Sequence, residues 1–102
     1  MNLSKKCPSC SVSLLVESCP SYNKLYCFHN HYISFWTKEN EMIAETFILG
    51  KYRVRNNYTH FTRGAIISKI HGDPKSFTRI ITLPEPLKFI SEEKIEALII
   101  FS

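Results

Sequence analysis

Six soft metal ligands crowd into the first 31 residues of this chain: Cys7 and Cys10 in a Cys-Pro-Ser-Cys turn, then Cys19, Cys27, His29 and His31. Two cysteines two residues apart, with further thiols and imidazoles within about thirty positions, is the spacing of a structural zinc site. A bound ion would fix the fold of the N-terminal third. The whole chain, 102 residues, reads as a single domain over 1–102, in the size range where a metal staple helps a modest core.

Four cysteines also allow two disulfides. Met1 to Ser9 is polar and basic with no apolar run behind it, so no secretory leader is expected, and reducing compartments favour thiolate–metal bonds over disulfides. No apolar run approaches the roughly 18 residues of a membrane span. The expectation is an intracellular, cytoplasmic protein with no membrane partner. Abundant Ile, Lys, Asn, Phe and Tyr beside three Ala and three Gly is the bias of an AT-rich genome, such as that of a phage. The compartment would then be the host cytoplasm.

The segmentation predicts a mostly β (α+β) chain. Val12 to Val16, Tyr22 to Phe28 and Tyr32 to Thr37 are β-rich runs, with a turn at Lys38-Glu39-Asn40. Met42 to Leu49 alternates and stops at Gly50, which favours a strand. From 50 to 83 the turn signals Asn56-Asn57, Gly64 and His71 to Lys75 divide a β-meander into Tyr58 to Arg63, Ala65 to Ile70 and Ser76 to Leu83. Pro84 and Pro86 end the ladder. One short C-terminal helix over 91–102 follows, with Ser91 as N-cap, Glu92 and Glu93 in its first turn, an Ile90–Ile95 staple, and Ile95, Leu98 and Ile99 facing the core.

The Cys-Pro-x-Cys turn at Cys7 to Cys10 resembles the zinc knuckle of the zinc-ribbon family, over residues 7–31 only. The resemblance implies a zinc-binding hairpin that continues into the β-meander of 32–83, and it implies structural zinc rather than an activity. Ribbons hold the ion between two knuckles at one end of a hairpin. With Val12 to Val16 and Tyr22 to Cys27 as arms, Cys19 falls at the tip, roughly 20 Å from Cys10 at strand rise. The preferred set is therefore Cys7, Cys10, Cys27 and His31, with His29 and Cys19 in reserve. A set of Cys7, Cys10, Cys19 and Cys27 would need a folded-over loop. The second knuckle departs from the ribbon pattern in lacking Cys-x-x-Cys. Four protein ligands close the coordination shell, which makes the ion structural.

Charge is unevenly spread. Residues 1–49 balance, whereas 50–82 hold Lys51, Arg53, Arg55, Arg63, Lys69, Lys75 and Arg79 against Asp73 alone, a net of +6 within a chain of +4. Taking Lys51 to Arg55 and Tyr58 to Thr62 as arms around Asn56-Asn57, the alternation places Lys51, Arg53, Arg55, Tyr58, His60 and Thr62 on one face. It places Tyr52, Val54, Thr59 and Phe61 on the core side. Guanidinium forks suit phosphates and Tyr58 suits a base, so nucleic acid is the first expected partner, contacted by Lys51, Arg53, Arg55, Tyr58 and His60 with Arg63 and Arg79 in support. An acidic protein surface, met by an adaptor or inhibitor, is the alternative. A charged outer face also serves solubility alone. No activated nucleophile, carboxylate pair or phosphate-cradling glycine loop is present, so neither catalysis nor a small-molecule substrate is expected. His29-Asn30-His31 is not a nuclease motif, and Cys7 to Cys10 lacks the strand–helix setting of a redox pair.

Overall fold

The computed structural model describes residues 5–70 and 80–100. Among the described residues, seven strands form one open antiparallel sheet in chain order: β1 (Leu15–Ser18), β2 (Asn23–Tyr26), β3 (Tyr32–Trp36), β4 (Met42–Leu49), β5 (Tyr52–Asn57), β6 (Gly64–Lys69) and β7 (Ile80–Leu83), and one helix, α1 (Glu92–Ile100), follows. The expected mostly β meander with a C-terminal helix is what forms. None of the helices described is long and apolar enough to cross a membrane.

Register explains which face is buried. Tyr32 pairs with Phe47, Phe47 with Val54, and Val54 with Ile67. Two residues along, Leu25, Ser34, Glu45, Asn56 and Ala65 form a second row across five strands. Side chains alternate along a strand, so both rows face the same way, and these residues are almost wholly buried. Leu14, Leu87, Ile90, Ile95 and Leu98 join that core from outside the sheet. Along β4 it is Glu45 and Phe47 that face inward, with the Glu45 carboxylate between two further buried polar residues, Ser34 and Asn56.

Three expectations are corrected. The strand from Met42 stops at Gly50 as expected, but Lys51, expected in a strand arm, lies in the turn with Gly50, where Leu49 pairs with Tyr52 and Gly50 takes a φ of 61°. A Cβ at Gly50 would meet only the movable end of the Glu92 side chain, so the left-handed φ is what favours glycine there. Asn56-Asn57 is not a turn but the end of β5, which pairs with β4 and β6. Asn56 tolerates burial because its amide is fully matched: Nδ2 donates to Glu45 Oε1 at 3.0 Å and to the Leu87 carbonyl, and Oδ1 accepts the Leu87 N–H at 2.7 Å. Finally, residues 58–63 are a loop rather than a strand, and Phe61, expected in the core, is 92% exposed.

Other local signals hold. Lys38 to Asn40 turn between β3 and β4, with Asn40 at a φ of 66° and the Glu41 N–H on Thr37 Oγ1. Ser91 caps α1 by accepting the Lys94 N–H at 3.2 Å. Arg79 and the His71 to Lys75 turn signal lie outside the described residues.

Candidate metal centre

Two short turns build the site at one end of the sheet. The first is the loop of a small hairpin in which Lys6 pairs with Ser13 and the Leu14 N–H meets the Lys5 carbonyl. The second joins β2 to β3. Both follow one recipe. The Cys7 N–H bonds to the Val12 carbonyl at 2.9 Å, and the Cys27 N–H to the Tyr32 carbonyl at 2.8 Å, five residues on in each case. The Cys7 Sγ accepts the Ser9 N–H at 3.4 Å, and the Cys27 Sγ accepts the His29 N–H at 3.3 Å. Each turn also holds one left-handed residue, Ser11 at a φ of 59° and Asn30 at 62°.

The β1–β2 hairpin links the turns and sets their spacing. Leu15 pairs with Tyr26 and Ser18 with Asn23, so Cys19 sits in the tight turn at the opposite end, where its N–H bonds to the Tyr22 carbonyl. The arm begins at Leu15 rather than Val12, because residues 12–14 still serve the first turn.

The ligand atoms of Cys7, Cys10, Cys27 and His31 all lie within 4.8 Å of one another. Donors about 2.3 Å from a tetrahedral ion stand roughly 3.8 Å apart; Cys10 Sγ and Cys27 Sγ are 3.5 Å apart. Cys7 and Cys27 are buried, and Nδ1 of His31 is a buried nitrogen with no hydrogen-bond partner. A metal ion would supply that missing partner. The donor set therefore fits an ion. His29 remains exposed beside the cluster, its Nδ1 3.6 Å from Cys10 Sγ, and Cys19 stays out of it.

Electrostatics already favours a thiolate here. Burial works to raise the Cys27 thiol, but the His31 and His29 N–H groups and the neighbouring Cys10 and Cys7 outweigh it, holding Cys27 down at about 7. Burial pushes the Cys7 thiol up.

The residues expected on the basic face are dispersed. Arg53 and Arg55 are exposed on the outer face of β5, and among the described residues neither has an ion-pair partner. Lys51 is instead bound to Glu96 of α1 at 2.7 Å. Tyr58 turns inward, its hydroxyl donating to Glu45 Oε1 at 2.8 Å. His60 is exposed in the loop against Phe61, and Arg63 reaches Glu85 at 3.9 Å.

Sequence reasoning missed an interior polar knot. Glu45 accepts hydrogen bonds from Tyr32, Tyr58 and Asn56, and Lys5 donates to the Tyr32 hydroxyl while lying over the rings of Tyr32, Trp36 and Phe89. Burial, then the Glu45 carboxylate, raise both tyrosines well above the usual phenol range. The available signal was a lone glutamate amid the alternation of β4.

Compared with known protein families, curated proteins and solved structures, the chain matches none of them.

Proposed function

We propose that this chain is a non-catalytic, zinc-stapled binding module that associates with nucleic acid through the outer face of β5. Three thiolates with one imidazole suit zinc better than the hard cations. Four protein donors leave no open position, so the ion holds the N-terminal turns together and does no chemistry.

One observation carries the nucleic-acid reading. Arg53 and Arg55 stand in line on a sheet face that no described element covers, flanked by Ile48, Thr46, Ile66 and Ser68 through the ladder. Strands β3 to β6 contain a single carboxylate, Glu45, and it is buried on the other face. Guanidinium groups free of local counter-charges are available to phosphate oxygens.

The test is fluorescence anisotropy with labelled oligonucleotides across a salt series. Association should weaken steeply as salt rises, and Arg53→Glu with Arg55→Glu should flatten that dependence and lower affinity. Binding that ignores both salt and the charge reversal sinks the reading, and leaves the same face to an acidic protein.

A further inference from the structure

The open aromatic nearest this track in the chain is Phe61, and it has no structural work to do. The loop that carries it is anchored from below: the Tyr58 N–H bonds to the Ile43 carbonyl at 2.9 Å, and the Tyr58 hydroxyl bonds to buried Glu45. Thr59 and Thr62 close the loop through their hydroxyls and a backbone bond. A solitary apolar residue on a surface is ordinary. A phenyl ring 92% exposed on a loop fixed at its root is a preorganised contact, because little ordering entropy remains to be lost on binding.

On the same sheet face and at its far end, other rings among the described residues are engaged or misplaced. On the outer face, Lys24 lies over Tyr26 at 4.9 Å and Tyr22 meets Phe35 edge-on at 5.7 Å. Phe28 is 71% exposed but belongs to the Cys27 turn, at the opposite end of the sheet from the 58–63 loop. His60 stands perpendicular to Phe61, at 5.3 Å and 87°, and leaves the phenyl ring almost wholly exposed.

Spacing suits a nucleic-acid backbone. Residues two apart on a strand are separated by about 6.8 Å, close to the through-space separation of successive phosphates on one strand, so Arg53 and Arg55 can each take one of two neighbouring phosphates. The aromatic selects the form of the ligand: a base stacks on a protein ring only where one of its own faces is free, as in a single strand, and β5 runs directly into the loop that presents such a ring.

We propose that the ligand is single-stranded nucleic acid, laid along β5 with neighbouring phosphates on Arg53 and Arg55 and one base stacked on Phe61. This rests on the nucleic-acid reading above and adds the form of the strand and the residue that holds its base.

The experiment compares labelled single-stranded oligo-dT and oligo-U with a duplex of equal length, using the full chain loaded with zinc. Single strands should bind at least about tenfold more tightly than duplex. Phe61→Ala should weaken single-strand binding by about tenfold, while the salt dependence stays unchanged because no charge is removed. Phe61→Trp should restore it, and Phe28→Ala should leave it as in the parent. Equal binding of duplex, or single-strand binding indifferent to Phe61→Ala, overturns this inference while the nucleic-acid reading survives. Absence of binding to every probe overturns both.

Discussion

The turns at Cys7–Val12 and Cys27–Tyr32 share their length, their closing hydrogen bond and their first ligand, but differ by one position in backbone and in second ligand. In the first, Cys10 comes before the left-handed residue Ser11; in the second, the left-handed residue Asn30 comes first and His31 follows it. A thiol is short and must start close to the ion, inside the turn. An imidazole reaches further, so it serves from one position later, where the chain is already leaving along β3. The second turn departs from Cys-x-x-Cys without losing the centre, because the longer side chain makes up for the shifted backbone. Ligand chemistry and ligand spacing thus change together between two turns of equal length.

The largest effect should come from breaking both turns at once. Chelation, or Cys27→Ser, should abolish the cooperative thermal transition, since structural zinc typically contributes on the order of 10 kcal/mol to small metal domains; a chelator-treated chain melting as before would remove the ion from the fold. Next, His31→Ala and His29→Ala separate the shifted ligand from its exposed neighbour. The first should cost on the order of 100-fold or more in metal affinity, beyond what supporting residues usually cost, and the second less than about tenfold; cobalt titration followed by absorbance reads both, and equal losses would assign His29 to the centre. A smaller difference should separate the left-handed residues. Ser11→Gly should stabilise by about 0.5–1 kcal/mol and Asn30→Gly by less, because Asn tolerates that conformation better than Ser; equilibrium denaturation distinguishes them. Cys19→Ser should do least, changing stability by under about 0.5 kcal/mol with metal stoichiometry intact, and a lost equivalent of metal would return Cys19 to the site.

What could be read from the sequence was what local chemistry decides. Ligand spacing, the Lys38 to Asn40 turn and the Ser91 cap each depend on residues a few positions apart, and each is where it was expected. The errors come from distant partners. Asn56 has the composition of a turn, but its amide is taken by the backbone of Leu87, 31 residues away. Nothing near Glu45 in the chain marks it for burial; Tyr32, Asn56 and Tyr58 come from other segments to surround its carboxylate. Once Asn56 extends β5, the segment from Tyr58 must become the loop, and Phe61 leaves the core with it. One misassigned asparagine therefore displaced half of the expected binding face.

The order of parts along the chain has a consequence for synthesis. All four donors of the metal centre lie within the first 31 residues, and each of the six strand pairings joins neighbours in sequence. The lid over the core comes last: Leu87, Phe89 and Ile95 close onto a sheet whose first strands were made long before. A nascent chain could thus take up an ion at these donors and zip up strand by strand as it leaves the ribosome, while Tyr32 and Phe47 stay uncovered until the segment from Leu87 to Ile95 emerges. A metal held there would act at birth as a starting clamp on one end of a sheet that waits for its cover.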